Sequence, residues 1–495
     1  MCRWFDLKLK YATIVFATLV VGQTVLFGQE PLPVPVRPAA DVIAAWKAAG
    51  AKFSWIRIER KGITSRLAAE ESPIPGTLPD FRFGKYESGA LAGLPAPAVP
   101  FSLTLDNPQV VDDDLKDLAH FNKIQMLNLR HAKLTTAGLK FLAGLDQLER
   151  LDLRRTSVSG PGLRELSHLK NLMHLNLRDT PLTDEDFQYL MELYELRSVN
   201  LLGTKITGAG LKHLAGLKHL DSLLLVNTKL NDEGLRGLAA LVQLRSAILN
   251  GTAITDKGLN ALAGMSNLRS LILPSMSVSE EGLLKLVSRL TGLEELDASG
   301  ILLKDAAVHE LATHLKNLRM LGMHGTGISD EGVKELARLE KLEALYIGGT
   351  QATDAGLEAI SGLKRLKRLG LSNTYITDAG LEHLSGMRQL EFLDLRNTHV
   401  GNVGMQHLSQ LVQLWELNLR NTAVTDAGIE KLAGLKNMHE FYLEFTDVTD
   451  GCVEVLAGLK QLRFLHLRNT KLTNKGFQRL KKALPHTFII EVVGY

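Results

Sequence analysis

The hydrophobic positions of the chain repeat with a fixed spacing from residue 103 onward. Two core positions separated by one residue are typical of a short strand with one buried face. This pair recurs every 24 residues, with two steps of 25 around Leu296. A fixed period of this length over sixteen copies predicts a solenoid in which each unit packs on its neighbours. The first core position of each copy is held by Leu103, Leu127, Leu151, Leu175, Val199, Leu223, Ala247, Leu271, Leu296, Leu321, Leu345, Leu369, Leu393, Leu417, Phe441 and Leu465.

The copy that begins at Leu369 shows the parts of one unit. Leu369 and Leu371 predict the strand, and Thr374 stands where the chain leaves it. Because Thr fills this position in most copies, we expect its hydroxyl to pair with backbone groups of the neighbouring turn, which would otherwise stay buried without a partner. Thr377 or Asp378 can then cap a short helix. Each unit therefore predicts one strand and one helix.

The repeated motif, LxxLxLxxT followed by ITDxGLxxLxxL, resembles exported bacterial leucine-rich repeat proteins built from TDAGLxxLAGL units. It is also similar to the cysteine-containing class found beside F-box domains, with Thr where that class has Cys. The resemblance covers residues 101–495. It implies an α/β solenoid: a leucine-rich repeat horseshoe of about 16 repeats of 24–25 residues, with a parallel concave sheet and short convex helices. The same scaffold serves unrelated partners, so the resemblance specifies fold more than function.

The first 28 residues have the pattern of an export signal. Three basic residues precede the apolar run 11–21, and cleavage after Gly28 or Gly22 would remove it. The alternative is an uncleaved anchor, because residues 11–27 are near the lower length limit for a spanning helix. Export implies a periplasmic, cell-surface or secreted protein, with the membrane contacted only through residues 11–27 if they are retained.

The remaining segments divide the chain around the repeats. A helix over 41–49 and a strand over 53–58 would cover the exposed edge of the first repeat. Residues 61–100 are rich in Pro and Gly and are expected to form an irregular insertion rather than a second domain. The predicted organisation is 1–28 signal peptide or anchor, 29–39 Pro-rich linker, 40–100 N-terminal cap and insertion, 101–483 repeats, and 484–495 C-terminal cap strand.

Composition and motif searches argue against an enzyme. The formal net charge is only +3, which gives no global electrostatic case for nucleic acid. Two cysteines, Cys2 and Cys452, exclude a multi-disulfide framework. His309, Glu310 and His314 follow the pattern HExxxH rather than HExxH. On a helix, a separation of five residues places the second imidazole about 140° around the axis from the first. We expect these residues on the solvated convex side, and we predict no catalytic, cofactor-binding or metal-binding residue.

A partner would contact side chains that project from the concave strands. Aromatic and Arg side chains carry most interface energy, and exposed apolar strips usually mark binding surfaces. We expect Trp415, Tyr442 and Phe464 near one strand row, with the arginines in the row beside them. The predicted partner-binding residues are Trp415, Tyr442, Phe464, Phe392, Tyr346, Arg396, Arg420 and Arg468 towards the C-terminus, and Val226, Ile248 and Ile272 in a central apolar strip.

The sequence thus predicts a non-catalytic scaffold that binds a protein or peptide, with a glycan as a further ligand class and no cofactor. Two alternatives remain open. The chain could be a structural cell-envelope component anchored by its N-terminal helix, or an adaptor similar to F-box-associated proteins.

Overall fold

The computed structural model describes residues 35–58, 64–67, 74–274 and 277–490. The predicted leader, most of the Pro-rich linker and the last five residues lie outside these ranges. In the described part, no helix is long and apolar enough to cross a bilayer. The chain divides into two compact units, Met1–Ile254 and Thr255–Tyr495.

The first unit begins with a helix and three strands that precede the repeats. An α-helix over Ala40–Ala48 leads into β1, close to the predicted helix and strand. The strands are β1 Ala51–Ile58, β2 Thr64–Leu67, β3 Thr77–Phe83, β4 Phe101–Thr104, β5 Ile124–Asn128, β6 Arg150–Asp152, β7 His174–Asn176, β8 Ser198–Asn200, β9 Ser222–Leu224 and β10 Ser246–Ile248. The outer segments are mostly 3-10 helices: Asp112–His120, Thr136–Leu142, Gly160–His168, Asp184–Tyr189 and Leu211–Leu214, followed by the α-helix Asp232–Leu238.

The prediction of an irregular insertion over 61–100 is wrong in part. β2 and β3 both pair with β1 in antiparallel register, and β3 also pairs with β4 in parallel register. The three strands therefore extend the repeat sheet at its N-terminal edge. An aromatic core holds this cap to the first repeats: the Trp46 ring is fully buried, 4.5 Å from Phe81 and 5.1 Å from Phe121 between ring centroids. Its indole N–H donates to the Pro95 carbonyl at 2.9 Å.

The described residues of the second unit form repeats and the last cap strand. Its strands are β11 Ser270–Ile272, β12 Glu295–Asp297, β13 Met320–Gly322, β14 Ala344–Tyr346, β15 Arg368–Gly370, β16 Phe392–Asp394, β17 Glu416–Asn418, β18 Glu440–Tyr442, β19 Phe464–His466 and β20 Phe488–Ile490. Its α-helices are Asp256–Leu259, Glu280–Val287, Asp305–His314, Asp330–Glu335, Asp354–Ile360, Asp378–Glu382, Met405–Leu408, Asp426–Lys431, Val453–Ala457 and Asn474–Ala483. Short 3-10 segments cover Asn260–Gly264, Leu336–Arg338 and Asp450–Cys452.

The predicted parallel strands and their register are confirmed within each unit. In the first unit Leu127, Leu151 and Leu175 align across neighbouring strands, and in the second unit Leu369 aligns with Leu393. These core leucines are at most 2% exposed. The two 25-residue steps do not shift the strands, since Leu271 aligns with Leu296 and Leu296 with Leu321. The helices of these two repeats, Glu280–Val287 and Asp305–His314, have 8 and 10 residues, longer than the preceding helix Asp256–Leu259 with 4.

The repeated Thr hydroxyl pairs within its own repeat, not with the neighbouring turn as predicted. Thr374 Oγ1 donates to the Leu371 carbonyl at 2.6 Å, and Thr398 donates to the Leu395 carbonyl at the same distance. The same bond to the carbonyl three residues earlier recurs from Thr156 onward in the first unit. The hydroxyl therefore closes the turn that ends each strand.

Many successive repeats are instead joined by an aspartate at the start of the helix. Asp354 Oδ1 accepts the Thr377 backbone N–H at 2.8 Å, and its Oδ2 accepts the Thr377 hydroxyl at 2.6 Å. Thr377 in turn caps its own helix by accepting the Ala379 N–H. Gly380 lies against the same carboxylate, because a Cβ on Gly380 would overlap Asp354 Oδ1. Each aspartate thus completes the helix start of the repeat that follows it.

Candidate functional site

The strand face of the second unit presents its side chains in three rows. The first row is the residue before the first core position of each strand, the middle row lies between the two core positions, and the third row follows the second. Strand pairing aligns each row across β15–β19. The first row reads Arg368, Phe392, Glu416, Glu440 and Phe464; the middle row reads Gly370, Asp394, Asn418, Tyr442 and His466; the third row reads Ser372, Arg396, Arg420, Glu444 and Arg468.

Trp415, Tyr442 and Phe464 do not share one row, which corrects the sequence prediction. Phe464 is in the first row, Tyr442 is in the middle row, and Trp415 precedes the first row by one residue. Arg396, Arg420 and Arg468 do share the third row, as expected. The aromatic side chains therefore spread across the width of the strand face rather than along it.

Exposure on this face increases towards the C-terminus. Phe392 is only 9% exposed, Phe464 is 42% exposed and Phe488 is 62% exposed. Trp415 and Tyr442 are half-buried. The accessible part of the face therefore begins near Trp415 and continues to β20.

The central apolar strip is not an accessible surface. Val226, Ile248 and Ile272 are 3%, 1% and 1% exposed. Adjacent strands lie about 4.8 Å apart, so short apolar side chains on neighbouring strands cover one another, whereas longer aromatic and Arg side chains extend beyond them. These three residues pack in their units and offer little surface to a partner.

Arg368 connects the aromatic residues at the buried end of the face. Its guanidinium carbon lies 4.6 Å from the centroid of the Phe392 ring and 5.8 Å from that of Trp415, the geometry of cation–π contacts. Its Nε donates to the Tyr346 hydroxyl at 2.9 Å, and burial raises the pKa of that hydroxyl. Arg368 Nη2 is buried without a hydrogen-bond partner among the described residues. Tyr346 and Phe392 thus hold Arg368 rather than standing free.

Two glutamates stand side by side on the neighbouring strands. Glu416 and Glu440 are aligned in the first row of β17 and β18. The pKa of Glu416 is raised to about 8, mainly by burial and also by the carboxyl groups of Glu440 and Asp394, while Arg368 acts in the opposite direction. Glu440 Oε2 accepts the Tyr442 hydroxyl at 2.7 Å. The pKa of Tyr442 is raised, first by burial and then by this bond to a carboxylate. With its pKa of about 8, Glu416 therefore stays largely protonated at neutral pH, beside the Glu440 carboxyl group.

Several other polar side chains of the face are paired with one another. Tyr442 stacks on His466 with ring centroids 4.2 Å apart, and His466 Nδ1 lies 3.4 Å from Glu444 Oε1. Arg396 Nε lies 3.2 Å from Asp394 Oδ2. Burial raises the pKa of Asp394, with Arg396 opposing the shift. These pairs position the Tyr442 and His466 rings and Arg396.

Phe445 occupies a backbone position that suits few side chains. The residue before the repeated Thr (Thr374 and its equivalents) has a positive φ in successive repeats. In three of them it is an Asn: Asn373, Asn397 and Asn421, with φ of 56°, 54° and 52°. Their amides form a chain, with Asn397 Nδ2 donating to Asn373 and Asn421 Nδ2 donating to Asn397. Phe445 interrupts this chain at φ 58°, where a bulky side chain is strained. Its ring is 44% exposed and lies 5.1 Å below the Arg420 guanidinium.

Comparison with known proteins agrees with this geometry. The sequence family described as Leucine rich repeat matches residues 340–400 and 364–424, which contain β15–β17. The matched residues are the same repeats whose strands pair in parallel. The fold is a leucine-rich repeat solenoid. A search of curated proteins gives no significant match.

Solved leucine-rich repeat structures show similarity over much of the chain. An internalin from Listeria monocytogenes is 20% identical with a TM-score of 0.41, over 84% of this chain and 98% of the internalin. A leucine-rich repeat protein from Leptospira interrogans is 21% identical with a TM-score of 0.41, over 76% of this chain and 86% of that protein. The ectodomain of a membrane receptor kinase from Arabidopsis thaliana, solved in complex with CASPARIAN STRIP INTEGRITY FACTOR 2, is 18% identical with a TM-score of 0.41, over 79% and 46% of the two chains.

The other chemical candidates of the sequence are distributed over the leucine-rich repeats. His309 and His314 are partly exposed on the outer helix Asp305–His314, where His309 Nδ1 lies 2.9 Å from Glu335. Their predicted solvated position is confirmed. Cys452 is buried, and burial raises the pKa of its thiol to about 12. Among the described residues, no three His, Cys, Asp or Glu side chains are grouped to hold a metal ion.

Proposed function

We propose that this leucine-rich repeat protein is a non-catalytic scaffold that binds a protein or peptide on the strand face between Trp415 and Phe488. One observation carries the proposal: aromatic side chains that the repeat core does not require stay accessible there, while the core positions are filled by Leu417, Phe441 and Leu465. Large accessible apolar side chains reduce solubility, and partner binding offsets that cost.

The strained backbone of Phe445 supports the same surface. Asn at this position would cost less backbone strain and would continue the amide chain of the preceding repeats, yet an exposed Phe is present. The contact of the exposed Phe445 ring with Arg420 offsets little of this backbone strain, and strain of this kind clusters at functional sites. Phe445 lies against Arg420 of the third row and extends the proposed surface to the edge of the strand face.

Peptide display against the purified protein tests this proposal. Trp415→Ala and Tyr442→Ala should each weaken a selected peptide by about 2 kcal/mol or more, roughly 30-fold, as central aromatic contacts do. Tyr194→Ala is the matched control, because Tyr194 is 58% exposed in the first unit. Thermal unfolding must show that all three variants remain folded.

Selected peptides that bind the Trp415 and Tyr442 variants as tightly as the parent would refute the proposed surface. A glycan array probed with the same variants examines the second ligand class, because aromatic rings also stack on sugars. If the variants unfold while binding per folded molecule is unchanged, the two aromatic residues are structural.

We further propose that the chain is exported and that residues 1–28 are removed. The basic start followed by the apolar run 11–21 supports this. Mass spectrometry of the N-terminal peptide should detect a chain that begins after Gly28 or Gly22. Recovery of intact residues 1–28 in the membrane fraction would favour an anchored envelope component instead.

A further inference from the structure

The accessible strand face of the second unit combines aromatic rings with two aligned carboxyl groups, those of Glu416 and Glu440. Trp415 lies on one side of the first-row glutamates and Tyr442 on the other, because Trp415 precedes Glu416 by one residue and Tyr442 follows Glu440 by two. The rings are half-buried and the face opens towards Phe464. A ligand group seated there would contact aromatic rings and carboxylates together.

The Glu416 carboxyl group lies among two other carboxyl groups and one guanidinium. The groups that act on its carboxyl are Glu440, Asp394 and Arg368. Asp394 already pairs with Arg396, and Arg368 is held by Tyr346 and by two aromatic rings. One cation, Arg368, therefore faces the two first-row carboxyl groups. The Tyr442 hydroxyl donates a hydrogen bond to Glu440 but adds no positive charge.

We infer that the partner segment places a lysine or arginine side chain over Glu416 and Glu440, between Trp415 and Tyr442. This inference rests on the proposed binding function and specifies the chemistry of the partner. A cation compensates the paired carboxylates, and its alkyl or guanidinium part packs against the rings. The raised pKa of Glu416 supports this complementarity, since a group that resists ionisation in the free protein ionises readily beside a bound cation.

The three rows also explain why a cation is favoured over an anion at this point. Three arginines occupy the third row together with Ser372 and Glu444, on the far side of the middle row from Glu416 and Glu440. An acidic group of the partner would be repelled by the first row and attracted to Arg420 and Arg468. The basic side chain therefore has a defined place, and the orientation of the segment across the face follows from it.

Three hexapeptide libraries test the inference, with a central lysine, arginine or Nε-acetyl-lysine and random residues elsewhere. The parent protein should retain the lysine or arginine pool at least about tenfold more tightly than the acetyl-lysine pool. The double variant Glu416→Gln, Glu440→Gln should reduce this ratio to about one. Glu430→Gln, on the outer helix of the same repeat, should leave the ratio unchanged because Glu430 is exposed away from the strands.

A measurement on the parent protein covers the case in which the double variant does not fold. Lysine remains charged from pH 6 to pH 8.5, whereas Glu416, with a pKa of about 8, gains charge over this range. The lysine pool should therefore bind more tightly at pH 8.5, and the acetyl-lysine pool should not. Isothermal titration in buffers of different ionisation enthalpy should show proton release near pH 7 for the lysine pool alone.

The outcomes separate the two proposals. If Trp415→Ala abolishes binding but the parent shows no preference for lysine or arginine over acetyl-lysine, the cation inference is wrong and the binding surface stands. If no pool binds, or if binding is insensitive to Trp415→Ala, the proposed function fails and the inference fails with it.

Discussion

Replacing Glu416 by Gln should make the protein more stable at alkaline pH and should remove part of its pH dependence. Below pH 4.5 the carboxyl is protonated in both the folded and the unfolded chain, so it contributes no difference. As pH rises, the unfolded chain loses this proton first, and unfolding becomes more favourable. The loss of stability ends near pH 8, where the folded carboxyl also ionises. Gln cannot ionise and avoids this loss.

The interval from 4.5 to about 8 sets the magnitude. At about 1.4 kcal/mol for each pH unit, the upper bound is about 5 kcal/mol. Glu416 is only half-buried by accessible surface, so we expect about 1–2 kcal/mol after allowing for solvent screening. That difference corresponds to an increase of a few degrees in the melting temperature at pH 8.5.

Thermal unfolding of the two proteins followed by circular dichroism at pH 5 and pH 8.5 measures this effect. The curves should nearly coincide at pH 5 and separate at pH 8.5, with the variant more stable. Glu430→Gln should show no such separation. A variant that is equally or less stable than the parent at pH 8.5 would show that Glu416 is hydrated or compensated in the folded protein, and the raised pKa of Glu416 would be wrong.

Three further substitutions test the repeat architecture and the surface. Thr374→Val should lower the free energy of unfolding by about 1–3 kcal/mol, because the Leu371 carbonyl loses its hydroxyl donor, whereas Thr374→Ser should keep most of the stability. Equal melting temperatures for the parent and both variants would show that this hydrogen bond does not stabilise the protein. Gly380→Ala should destabilise the protein measurably, because its Cβ would displace Asp354, whereas Gly362→Ala, with open space around its Cβ, should be neutral or slightly stabilising in the same thermal scan. Phe445→Asn should raise the free energy of unfolding by about 1 kcal/mol, because Asn adopts a positive φ with less strain than Phe. The same variant should bind the selected peptide more weakly in a titration, and an unchanged affinity would show that Phe445 is not part of the binding surface.

The sequence predicted the repeats well because their signal is periodic. Core leucines at a constant spacing determine which residues face inward, and every strand from β4 onward lies where that spacing places it. The cap was harder to predict, because β3 contains Pro79 and has no clear alternation of polar and apolar residues. Five of its seven residues are buried by β1 and β4 on either side, and periodicity does not report such pairing.

The candidate site could be predicted only in part. Residue type identified Trp415 and Tyr442, but accessibility depends on how far a side chain reaches beyond its neighbours, so the apolar centre was misjudged. Glu440 was missed, although its 24-residue distance from Glu416 placed two like charges on adjacent strands. Phe445 had a signal too, since Asn or Gly fills its position in several other repeats. The strain at Phe445 could be recognised only from its positive φ in the structure.

The bond from each aspartate to the next repeat gives the array a direction. Removing repeats from the N-terminal side would leave the first remaining Thr without a carboxylate for its N–H and hydroxyl, as Thr377 would be without Asp354. Removing repeats from the C-terminal side would leave only a carboxylate in water, which costs little. Shortening or lengthening the protein should therefore be tolerated better at its C-terminal end, and a unit transplanted elsewhere would have to bring its predecessor's aspartate with it.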